Sequence, residues 1–115
     1  MNVPGSAYQY VIMQNAAVAT GAGTPIPITD VDIGAYLSLT VQIAGITSAT
    51  VTFQGSIDGT NWVAIQFENM NTGDSSTTAT VDGLYRGTVL GLMQARANIT
   101  VYATGTITIT GIATA

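Results

Sequence analysis

YLSLTVQIAG, residues 36–45, alternates apolar and polar side chains with a period of two. Leu37, Leu39, Val41 and Ile43 fall on one side of an extended chain, and Ser38, Thr40 and Gln42 on the other. That is the pattern of a half-buried β-strand, because successive side chains of a strand point to opposite faces. A helix would need its apolar positions three and four residues apart, and they are not.

The same period governs the C-terminal end. Ile99, Val101 and Ala103 alternate with Thr100 and Tyr102, and Ile107 and Ile109 alternate with Thr106, Thr108 and Thr110. Between the two runs, Thr104-Gly105 reads as a tight hairpin turn in which glycine supplies a positive φ. Further strands are expected over residues 8–14, 25–29, 50–56, 62–67, 76–81 and 84–89, each bounded by Gly, Asn, Asp or Pro. The best helical candidate, QNAAVAT at 14–20, has neither caps nor a long apolar stripe. Eight or nine short strands at about ten-residue spacing must close into packed layers. The expected fold is therefore all-β: an antiparallel β-sandwich of jelly-roll type over residues 16–115, preceded by an N-terminal arm or first strand over 1–15.

Composition limits the chemistry. Charged residues make up 7% of the 115-residue chain, against about 25% in ordinary domains. The only cations are Arg86 and Arg96, facing six acids for a formal charge of −4. Two arginines cannot form the basic stripe from which nucleic-acid binders draw affinity, so no nucleic-acid partner is expected. With no His, Cys or Lys there is no Ser-His triad, thiolate, Schiff base or ordinary nitrogen ligand for a transition metal. The expectation is a non-enzymatic protein without cofactor or metal. No apolar run approaches the length of a membrane helix, and residues 1–10 carry no basic stretch ahead of an apolar one, so neither a membrane partner nor an export signal is expected.

Several residues stand out as candidates. GSIDGTNW, residues 55–62, combines a carboxylate, an amide, a glycine and the only tryptophan. Asp58-Gly59 reads as the turn of a hairpin, since Asp58, Thr60 and Asn61 alone fall short of a calcium loop. Alternation through Val63, Ile65 and Phe67 leaves Trp62 on the opposite face, where it could stack on a sugar or anchor a partner; a bulge at the turn would instead rotate it into the core. Tyr36 and Tyr85 are further candidates for stacking or interface contacts. Asp30 and Asp32 would share one side of an extended segment, the spacing of a carboxylate pair for hydrolysis or cation binding, though so small a fold offers little chain to build a cleft around them. Arg86 and Arg96 stand alone in uncharged strands and are expected to pair with acids, with Asp82 and Glu68 available. The strands themselves carry ladders of Thr and aliphatics without the Lys, Pro or inward charge that normally guards a free sheet edge. Such surfaces belong in an assembly, so a homo-oligomer is expected.

The succession TGAGTPIPI (20–28), GAYLSLTVQIAG (34–45), VTFQGSIDGTNWVAI (51–65) and the final stretch from Ala79, containing DGLYR (82–86) and the Thr104-Gly105 step, resembles small β-sandwich structural proteins of tailed-bacteriophage virions. The resemblance runs from about Thr20 to the C-terminus. It implies a capsid decoration or cement protein on the virion's capsid surface, binding the major capsid protein as a homo-oligomer, often a trimer. The alternative it implies is a tail or fibre accessory module, which could bind carbohydrate through exposed aromatics.

Overall fold

The computed structural model describes residues 8–30 and 34–115. Eleven strands follow one another, and no helix occurs among the described residues. They are β1 Tyr8–Ala17, β2 Ile26–Pro27, β3 Thr29–Asp30, β4 Gly34–Ala35, β5 Ser38–Ser56, β6 Val63–Ala64, β7 Phe67–Asn69, β8 Ser75–Ser76, β9 Thr78–Ala79, β10 Gly83–Thr88 and β11 Gln94–Thr114. Nine form one antiparallel sheet whose main path is β1-β11-β5-β10-β7-β8, with β2 on β11 and β6 and β9 on β5; β3 and β4 form a small separate pair.

Two strands dominate. β5 is 19 residues long and β11 is 21, and they pair along their whole length, from Gln94 opposite Ser56 to Thr114 opposite Ser38. A straight 19-residue strand would run to about 60 Å, longer than the 40 Å greatest dimension of the molecule. The ribbon must therefore bend. Its two ends do meet: Tyr85 is in register with Val41 near the start of β5, yet its ring lies 5.5 Å from that of Phe53 near the end of the same strand. The inner faces of the two halves thus enclose one core, built from Leu39, Val41, Ile43, Ile107 and Ile109 on one side and Val51, Phe53, Ala95, Ala97 and Ile99 on the other.

The bend corrects the expected turn at Thr104-Gly105. These residues do not reverse the chain; they lie inside β11, where the pairing with β5 slips at several points between Ile99 and Thr108. Gly105 has φ 128°, and Gly45 on the facing strand has φ 90°. A Cβ at Gly105 would come within 2.6 Å of the Gly45 carbonyl oxygen, and one at Gly45 would collide with the Thr106 carbonyl. Paired bulges built on two glycines let both strands turn the corner together. The N–H groups released from the ladder are taken up by Asp82, whose Oδ2 accepts from Gly45 N–H at 3.1 Å and Oδ1 from Ile46 N–H at 2.8 Å.

The N-terminal region is a strand rather than a separate arm from Tyr8 onward, since β1 pairs with β11 from Tyr8 opposite Thr114 to Ala17 opposite Ile107. The QNAAVAT segment closes this strand. Gln14 is buried and its Nε2 donates to the carbonyls of Gly21 and Ala97, each at 2.9 Å, while Ala16 adopts φ 50° at an irregularity in the pairing.

Candidate functional site

With the inner faces filled, contact with other molecules falls to the outer faces and the loops. The loop after β5 is held by its own side chains. Ser56 Oγ accepts the N–H of Asp58 at 3.2 Å and of Gly59 at 2.8 Å and donates to Asp58 Oδ1 at 3.0 Å. Asp58 Oδ1 accepts the N–H groups of Thr60 and Asn61, both at 2.8 Å, and Oδ2 accepts Asn61 Nδ2 at 2.7 Å. The N–H of Asn61, then that of Thr60, and the side chains of Asn61 and Ser56 hold the Asp58 carboxyl well below the usual carboxylate range. The carboxylate is spent on the turn, with β6 pairing back onto β5 through Gln54 opposite Ala64. A carboxyl whose folded pKa lies below its unfolded value stabilises fully above the unfolded pKa of about 3.9 and less as the pH falls below it. In urea titrations the protein should lose stability on acidification below about pH 4, and Asp58→Asn should reduce that loss while lowering stability at neutral pH.

Beside this turn, one outer face is polar. Arg96 reaches across the β5–β11 ribbon: its Nε donates to Gln54 Oε1 at 2.7 Å and its guanidinium carbon lies 4.1 Å from the centroid of the Trp62 ring. Asn98 Nδ2 donates to the same Gln54 oxygen at 3.3 Å, and the hydroxyls of Thr52 and Thr100 lie 2.9 Å apart. Arg96 and Trp62 are both half-buried, and burial lowers the pKa of the guanidinium, which remains charged at any physiological pH. The expectation that Arg96 pairs with an acid gives way to a cation–π contact and an amide partner. Asp82 is engaged by the backbone at the bend, and Arg86 stands opposite Glu68 in the β10–β7 register, with no ion pair formed among the described residues.

The other outer face mixes hydroxyls with large exposed apolar side chains. Tyr8, Tyr10 and Ile12 of β1 project outward beside Thr114, Ile112 and Thr110 of β11, then Ser38, Thr40 and Gln42 of β5, then Thr88, Arg86 and Leu84 of β10. Tyr8 is 59% exposed, Tyr10 54%, Ile12 49% and Leu84 45%. Tyr10, Leu84 and Ile112 with intervening Thr and Gln line a shallow depression of about 150 Å³. Reading the sequence for sites missed this row, although Tyr8, Tyr10 and Ile12 stand two residues apart within one predicted strand.

Two aromatic candidates are corrected by burial. Tyr36 is 0% and Tyr85 4% exposed, so neither offers a stacking surface to solvent. Tyr85 Oη donates to the Val81 carbonyl at 2.7 Å, and burial, aided by the charge of Asp82, raises its pKa. The proposed carboxylate pair is only partly visible. Asp30 closes β3 opposite Gly34, but its side chain and the whole of Asp32 lie outside the described residues. No group of three or more metal-ligating side chains occurs among the described residues.

Two solved structures share this architecture. The SPBc2 prophage-derived protein YomS is 20% identical and superposes with a TM-score of 0.80 over 94% of this chain and 93% of its own. The PBSX exported protein XepA is 14% identical, with a TM-score of 0.84 over 94% of this chain and 38% of its own, so this chain spans well under half of XepA's length. At these identities the likeness is one of fold. No curated protein sequence matches the chain. The XepA family model, by contrast, matches residues 7–113, which take in every strand from β1 to all but the last residue of β11, and the chain belongs to the XepA family.

Proposed function

We propose that this protein is a phage-associated structural protein that acts by association and not by catalysis. The observation that carries the reading is the outward row of Tyr8, Tyr10, Ile12 and Leu84, large apolar side chains on the face of a sheet whose margin, β1, has no charged residue along its length. Monomers blunt such margins with charge or proline, and apolar rows of this kind mark surfaces that a neighbour covers. The names of the two solved fold relatives, an SPBc2 prophage-derived protein and a PBSX exported protein, support the phage association. The absence of His, Cys and Lys, together with the use of Asp58 and Asp82 to hold backbone N–H groups, supports a non-catalytic role.

In its specific form, the bent sheet is a β-sandwich of jelly-roll type that forms a homotrimer on the capsid surface, docks on the major capsid protein and cements the shell. Contacts burying about 1,000 Å² or more, repeated over symmetry-related copies, would stabilise a shell without chemistry. A second reading, favoured by the word "exported" in the name of XepA, is a module that acts outside the virion.

Sedimentation velocity tests the shared element. The purified chain should run as an oligomer with a concentration-dependent melting temperature, and Tyr10→Arg should dissociate it while leaving the circular dichroism spectrum of the folded chain unchanged. A wild-type monomer at about 100 µM, well above the micromolar dissociation constants of ordinary specific complexes, would overturn the assembly role. Co-sedimentation with capsids then separates the two readings, binding supporting the cement form and its absence the second.

A further inference from the structure

Arg96 poses a problem that the assembly reading does not solve. It is a half-buried cation with no carboxylate beside it among the described residues, in a chain whose net charge is −4. Asp58, the acid of the turn that leads into Trp62, is saturated by four hydrogen bonds within its own loop. Burying part of a charge without a counter-ion costs stability, so the arrangement calls for a compensating role. The guanidinium is also fixed in place: Gln54 holds Nε at 2.7 Å, Trp62 covers one face at 4.1 Å, and Asn98 holds the Gln54 amide. What remains is the edge bearing the two terminal nitrogens, the fork that binds a carboxylate in bidentate fashion, and its rotamer entropy has already been spent on the protein's own contacts.

The surroundings select among carboxylates. The strip beside Arg96 consists of Asn98, Gln54, Thr52, Thr100 and Thr78, with the pairings Asn98 opposite Thr52 and Thr52 opposite Thr78 placing them on adjoining strands of one outer face. Hydroxyls and amides both donate and accept, as sugar hydroxyls do, and the strip carries no further charge. A peptide ligand would be expected to require apolar pockets or a free strand edge; this strip supplies no apolar pocket, and the strand margin beside it, β9, is only 2 residues long.

We propose that the Arg96–Trp62 platform binds uronic-acid saccharides, the sugar carboxylate on the terminal guanidinium nitrogens and the pyranose hydroxyls on Asn98, Gln54 and the adjoining threonines. The site is independent of oligomerisation, since it lies on the opposite end of the ribbon from the Tyr8–Tyr10–Leu84 row.

Trp62 is the only tryptophan in the chain and reports directly on the site. Its fluorescence should change saturably with trigalacturonate or triglucuronate, with a dissociation constant of about 0.1–1 mM. The neutral trisaccharide of the same linkage should bind at least about tenfold more weakly, equivalent to losing one charge-assisted contact. Arg96→Gln should weaken the acidic sugar by at least about tenfold with an unchanged circular dichroism spectrum, and Arg96→Lys should recover only part of the loss, because lysine keeps the charge without the fork. Equal response to acidic and neutral sugars, binding of an Asp-rich peptide in place of the uronates, or unchanged affinity in Arg96→Gln would overturn the proposal. Should Arg96→Gln not fold, the wild-type comparison of charged and neutral sugars, repeated by NMR on the Asn98 and Gln54 side-chain amides, decides alone.

Discussion

Gly45→Ala is expected to abolish the folded state or reduce its stability by several kcal/mol. The new Cβ would occupy the space of the Thr106 carbonyl, a backbone group of the paired strand that no rotamer change can move aside. It would also force an L-residue to hold φ 90°. Left-handed backbone alone costs about 1–2 kcal/mol, and steric overpacking typically adds about 1–3 kcal/mol, against a total stability of about 5–15 kcal/mol for a domain of this kind. The location compounds the cost, because both long strands turn here and the two halves of the core can face one another only if they do. Gly91→Ala is the control: Gly91 has a similar φ of 93° but nothing within 4 Å of a Cβ, so it carries the conformational term without the collision. Asp82→Asn keeps the shape of the clasp on Gly45 and Ile46 but removes its charge, and should cost about 1 kcal/mol. Denaturant midpoints of the three variants should therefore rank Gly45→Ala far below the other two. If Gly45→Ala and Gly91→Ala unfold together, the collision at the bend is not what sets the geometry.

That bend also marks the boundary of what the chain reveals when read alone. Period-two alternation identified strand after strand because a residue's face depends only on its neighbours in sequence. Whether Gly105 ends a strand or kinks one depends instead on Gly45, sixty positions away, since a glycine with positive φ serves a hairpin turn and a bulge equally well. Ser38–Ser56 and Gln94–Thr114 consequently read as four strands where two run through. The tyrosines illustrate the same limit. Arg86 must face water, so the alternation in LYRG already turns Tyr85 inward, and its burial was legible. In YQYVIM both parities carry large apolar side chains, and only the pairing with β11 decides that Tyr8, Tyr10 and Ile12 face out while Met13 is buried. The Asp58 turn was readable because its partners lie within three residues of it. The Arg96–Trp62 contact was not, because it joins two segments through the register of β5 with β11 and β6.

Phe53→Ala is expected to produce the largest loss among core truncations, about 3–5 kcal/mol. Phe53 is 1% exposed and occupies the point where the two halves of the folded ribbon touch. Its ring stacks on Phe67 at 4.5 Å with 10° between planes and meets Tyr85 at 5.5 Å and 44°. Its backbone N–H donates to Thr77 and its carbonyl accepts from Ile65, so the residue ties β5 to the segments on either side of β7 and β8 as well. Alanine keeps these backbone bonds and removes the ring, leaving a void lined by Phe67 and Tyr85, which cannot collapse freely because each is anchored in a paired strand. At an unfolding entropy of about 2.1 cal/mol/K per residue, the loss corresponds to a fall in melting temperature of about 12–20 °C. Tyr10→Ala, by contrast, removes an aromatic ring of similar size from the outer face and should shift the melting temperature of the monomer by no more than a few degrees, in keeping with the small effects of surface substitutions. Calorimetry of the two variants separates the side chains that hold the fold from those left over for contact with other molecules. A Phe53→Ala protein that melts within a few degrees of wild type would mean that the two halves are joined elsewhere, through the bend at Gly45 and Gly105 and not through the aromatic cluster.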